Sequence, residues 1–182
     1  MSTNAMLKVK QEVPEAVLAA YNIDSTTSKK PTKAISQWST LLVDCVFRIP
    51  YLYTARRHRT PRNSILLYEC KATNPYPSGA SWYDRANHGI NDLFIFDTAS
   101  DKVPEKHKEG YSGAVRDIQR SWIEFCHGRL PWPRANRVEL GKEPIYVFDN
   151  GSQSHLANGP EEALRKDVAT KWEAVLKIAN HV

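Results

Sequence analysis

Cysteine is scarce in this 182-residue chain, and no two cysteines stand in a Cys-x-x-Cys pair. Cys45, Cys70 and Cys126 are odd in number and far apart, which argues against a disulfide scaffold and for a reducing, cytoplasmic setting. No metal site and no cofactor are expected from this pattern. Long apolar runs are missing as well: none approaches the roughly 18 residues that a membrane span requires, so no membrane partner is expected. The stretch Met1–Gln11 is polar and lysine-bearing, without an apolar segment, and predicts no secretory signal. Asn150-Gly-Ser152 is formally a glycosylation sequon; without a secretory route it reads as a turn. Internal repeats are absent. Acidic residues are the minority, 20 against 25 lysines and arginines, for a net charge of +5. That excess is too modest to call a nucleic-acid partner, and none is expected.

What is present suits a folded domain: 41% hydrophobic and 25% charged residues, with five Trp, eight Tyr and five Phe to build a core. A polar segment with a short apolar helix and a Ser/Thr/Lys linker occupies residues 1–34, and the main domain is expected over 35–182. Ile35, Trp38, Leu41, Leu42, Cys45, Val46 and Ile49 recur at three- and four-residue steps, the spacing of a helix face that Pro50 should kink or break. Arg56–Arg62 is a basic stretch, read as a solvated connector. Ser64–Cys70 and Pro144–Asn150 are short apolar runs between turn residues and predict buried strands. The clearest helix is predicted over Tyr111–Cys126, with Val115, Ile118, Trp122 and Phe125 as its core stripe. A last helix is predicted over Pro160–Ala179, with proline and two glutamates in its first turn. The alternation is α/β. Two strands seldom make a self-sufficient sheet, which predicts association.

The functional signal lies between Trp82 and Phe96. His88 sits beside Gly89 on a loop, with a polar approach before it and the apolar run Leu93–Phe96 after it. An imidazole on such a loop suits proton transfer to a reacting group, and Trp82, Tyr83, Asp84, Asn91 and Phe94 are the candidate binding residues around it. The bland reading is a histidine that caps a loop. Asp84 and Asp92 are the nearest carboxylates, and solvated loop acids are the commoner case. Cys126-His127 invites a dyad reading, but neighbours on a helix point about a third of a turn apart and seldom share a target.

Several motifs in order carry a resemblance. Asp44-x-x-Phe47-x-x-Pro50, the Ser64–Glu69 strand, His88-Gly89 with Leu93–Phe96, Arg120-x-Trp122-x-x-Phe125 and Pro131-Trp132-Pro133 resemble the C-terminal part of type-B carboxylesterases, the cholinesterase-like α/β-hydrolases. The resemblance implies a truncated α/β-hydrolase C-terminal lobe, few strands flanked by amphipathic helices, with His88 as the catalytic-type histidine. Where many members have a carboxylate three residues after that histidine, this chain has Asn91, with Asp92 beside it. The larger departure is the missing half. No Gly-x-Ser-x-Gly elbow and no glycine-rich oxyanion loop exist here, and no version of the family's acid loop is recognisable.

Three readings follow. A lobe that lends His88 to a serine on a complementing chain would act on a small-molecule ester. A stand-alone acid/base catalyst would use His88 with Tyr83, Asp84 or Asn91 on another apolar small molecule. A non-catalytic binding module would do neither. The buried-strand argument adds a homo-oligomer or an obligate complex.

Overall fold

The computed structural model describes residues 15–24, 31–60, 62–77, 83–87, 89–98, 100–139, 141–164 and 171. The chain divides into two compact units, Met1–His58 with Arg165–Val182, and Arg59–Leu164. The division falls inside the basic connector.

In the first unit, residues 15–20 are helical. The helix α1 (Pro31–Val43) runs through a π-helical turn, Asp44–Arg48, into α2 (Ile49–Arg57). Pro50 therefore does not end the helical run. A proline lacks an N–H and its ring crowds the carbonyl four residues back. The widened turn, closed by the Ile49 N–H on the Asp44 carbonyl, gives that ring room. Asp44 is fully buried, and its carboxylate accepts hydrogen bonds from Tyr21 Oη (3.0 Å) and Arg48 Nη1 (2.9 Å). A carboxylate without those donors would be costly to bury. Its place is that of a scaffold group, anchoring the residues after the first helical stretch to the π turn.

The second unit is α/β. It comprises β1 (Leu67–Cys70), α3 (Ile90–Phe96), α4 (Glu105–Cys126), β2 (Ile145–Phe148), β3 (His155–Ala157) and α5 (Pro160–Ala163). The sheet order is β1-β2-β3. β1 and β2 are parallel, in register from Leu67 opposite Ile145 to Cys70 opposite Phe148. Parallel neighbours need a crossover, which α3 and α4 supply. β3 returns antiparallel along the other edge of β2. Its residues His155 and Leu156 are exposed and show no apolar run, so the sequence pattern did not mark it. With β3 in place the sheet has three strands rather than the two expected.

The core forms where α3 and α4 pack on the sheet: Phe94, Tyr111, Ala114, Val115, Ile118, Trp132 and Phe148 are buried there. Tyr68, Trp122 and Phe148 meet edge to face, with centroids 5.0–5.9 Å apart, the preferred geometry of aromatic clusters. Two helix expectations need correction. α4 starts at Glu105, after Pro104, six residues earlier than the expected start at Tyr111. Phe125, expected in the core, is 57% exposed: the buried face runs through Tyr111, Val115, Ile118 and Ser121 and is spent before the last turn. Of the final predicted helix, Pro160–Ala163 is seen, and most of its remainder, Trp172 included, lies outside the described residues. Among the described residues no helix is long and apolar enough to cross a membrane.

Candidate ligand-binding cleft

Two parallel strands end side by side, and the chain leaves each by a loop at the same edge. The Lys71 N–H still donates to the Phe148 carbonyl (2.7 Å), the last rung of the ladder. Beyond it the loops are tied by one side chain. Asn150 accepts from the Thr73 N–H and donates to the Thr73 hydroxyl, both at 3.1 Å. The same hydroxyl donates to the Asp84 carboxylate at 3.3 Å. Backbone bonds between Asn74 and both Asp84 and Arg85 fix the next loop to this corner.

Over this corner lies the amino-terminal half of α4. Its approach is unusually close. A methyl group on Gly113 would stand 2.5 Å from Gly151 Cα, so only glycine fits there, and Gly151 itself adopts a left-handed φ of 63°. Helix and loops enclose an open cleft of about 860 Å³, bounded by Thr73, Asn150 and Gly151 on one side and by His107, Arg116 and Arg120 of α4 on the other. A crevice outside the carboxyl ends of parallel strands is where open α/β sheets generally bind their ligands.

The chemistry of the lining is polar. Tyr146 donates to both Asp117 oxygens at 3.2 Å, and burial, reinforced by the Asp117 charge, pushes this phenol up to about 12. It stays neutral and ties Asp117 down. Tyr111 donates to Asp97 (3.0 Å) and is likewise held well above the ordinary phenol range, chiefly by burial. At the amino-terminal end of α4, His107 Nε2 lies 2.9 Å from Tyr83 Oη, and the Lys106 ammonium stands over the Tyr83 ring. Burial pushes the Cys70 thiol up to about 11, so this cysteine is no nucleophile at neutral pH. Among the described residues no group of three or more His, Cys, Asp or Glu is placed to hold a metal ion.

No protein-family model, curated protein or solved structure matches the chain.

The predicted site residues scatter. His88 and Trp82 lie outside the described residues. Tyr83 and Asp84 stand at the rim, through His107 and Thr73 respectively. Asn91 donates to its neighbour Asp92 on α3, and Phe94 is fully buried with its ring 5.3 Å from Tyr111. Phe94 is thus a core residue rather than a cleft wall. Thr73, His107, Asn150, Arg116 and Arg120, which line the cleft, are not among the residues predicted for the site. One signal was available. Gly113 inside a strong helical pattern costs stability unless something must come close.

Proposed function

We propose that the chain from residue 35 onward is a truncated lobe of a carboxylesterase-type α/β-hydrolase, acting in ester hydrolysis only with a complementing chain. One observation carries this reading. Asp84 and Arg85, a few residues before His88 in the sequence, are pinned to the carboxyl ends of the parallel strands through Thr73 and Asn74. That is the edge where such a fold gathers its catalytic loops. The order of motifs around His88 supports it from the sequence side. The partner would bring the serine, the oxyanion donors and an acid to orient the imidazole; His88 would take the serine proton and return it to the leaving alkoxide. The apolar face of α1, with Ile35, Trp38 and Leu42 exposed, favours association of the chain, with that partner or with a second copy.

Reconstitution tests this. A chain carrying the Gly-x-Ser-x-Gly half, encoded beside this one, should produce ester turnover on mixing. His88→Ala should abolish that turnover and His107→Ala should spare it. Equal turnover by the His88→Ala mixture would sink the proposal.

A second reading is favoured by the hydrogen bond between Tyr83 and His107. A histidine paired with a phenol at the rim of a polar cleft is equipped to move a proton without any nucleophile, as a stand-alone acid/base catalyst would. In that case His107→Ala, and not His88→Ala, would remove activity.

A further inference from the structure

We propose that the cleft at the carboxyl ends of β1 and β2 binds a small polar molecule through one oxyanionic group, a carboxylate or a phosphate, held between Arg116 and Arg120. This does not rest on the hydrolase reading. The two arginines are four residues apart on α4, so they share one face, where like charges repel. Both line the cleft. The cleft lining also carries the carboxylates of Glu109 and Asp117, against the cations Lys106, Arg116 and Arg120. Asp117 receives the Tyr146 hydroxyl, and Glu124 is taken in a two-pronged contact by Arg129. Among the described residues neither Arg116 nor Arg120 forms an ion pair. Two guanidinium forks on one wall, a turn apart, match the several acceptor lobes of a single oxyanion.

The opposite wall is stiff rather than adaptable. Asn150 is doubly bonded to Thr73, and Gly113 seats directly on Gly151. The volume of about 860 Å³ is far more than one ion needs and falls in the range of small-molecule sites. At the far end His107 and Lys106 offer further polar contacts. A hydrogen-bonding molecule with an anionic head fits this lining, and a purely apolar one does not.

Calorimetric titration and amide chemical shifts, with inorganic phosphate and with acetate at constant ionic strength, test the assignment. Saturable shifts are expected at Gly110, Gly113 and Gly151. Arg116→Gln and Arg120→Gln should each weaken binding about tenfold or more, the scale of a lost charge-assisted contact. Arg129→Gln, three residues past the end of α4 and paired with Glu124, should leave binding unchanged. Both cleft arginines are exposed, so these variants should melt like the parent. Tighter phosphate marks a phosphorylated ligand, and tighter acetate a carboxylate one. Shifts that never saturate, an equal loss in all three variants, or no response to either anion would overturn the proposal.

Discussion

Asn150 is joined to Thr73 twice over, accepting from its backbone N–H and donating to its side-chain hydroxyl, each at 3.1 Å. The two residues lie 77 positions apart in the chain. Their contact closes the end of the parallel ladder and sets the floor of the cleft. It also relays order outward, because the Thr73 hydroxyl goes on to Asp84.

Removing that link should loosen both loops. Asn150→Ala is expected to lower stability by about 0.5–1.5 kcal/mol, the net scale of a part-buried hydrogen bond lost. Asn150→Asp should cost less, since a carboxylate still accepts from the Thr73 N–H. Urea unfolding compares the two, and an alanine variant as stable as the parent would show the link to be idle.

The two glycines of α4 should respond in opposite ways. Gly113→Ala drives a methyl into Gly151 backbone at 2.5 Å and should destabilise by about 1–3 kcal/mol, as overpacking does. Gly110→Ala places its methyl 3.6 Å from Asn150 Cβ, an ordinary contact, and should gain about 0.5–1 kcal/mol from helix propensity. Thermal or urea unfolding of the pair decides the matter; similar losses at both positions would contradict the close-approach geometry.

Alkaline pH should weaken this protein in a defined window. Cys70 is raised from 9.0 to about 11 and Tyr146 from 10.0 to about 12, in both cases mainly by burial. Each group binds its proton more tightly when folded. Its contribution is therefore complete below the unfolded value and is lost as pH climbs through the folded one. Stability should fall between about pH 9 and 12, and Tyr146→Phe should flatten the part above pH 10. A parent curve with no decline over that range would refute the assignment.

The isolated chain should show no serine-esterase chemistry. Acyl transfer of that kind needs a serine on a strained strand–helix elbow. Ser112 and Ser121 lie within α4, and Ser64 is exposed in irregular chain. No labelling by a fluorophosphonate probe is expected, and ester turnover no faster than that of His88→Ala. Stoichiometric labelling of any serine in the purified chain would overturn this.

Much of the α/β pattern was legible in the residues themselves. The apolar run that became β2 is mostly buried and the one that became β1 is half-buried behind Leu67, so composition alone marked them. The stripe of α4 followed from its 3.6-residue period, because one face of that helix must meet the sheet. Other features were decided by tertiary contact. β3 exists because the free edge of β2 needs partners for its backbone, not because His155–Ala157 favours extended chain. Pro50 stays within a helix because a π turn makes room for its ring. The cleft was least visible of all. Thr73, Asn150, His107 and the two arginines come from three separate segments with no shared spacing, and only the parallel pairing of β1 with β2 brings their loops to one edge. A sequence records periodicity along a helix or strand, whereas a site assembled from loop ends depends on which strand ends are neighbours in space.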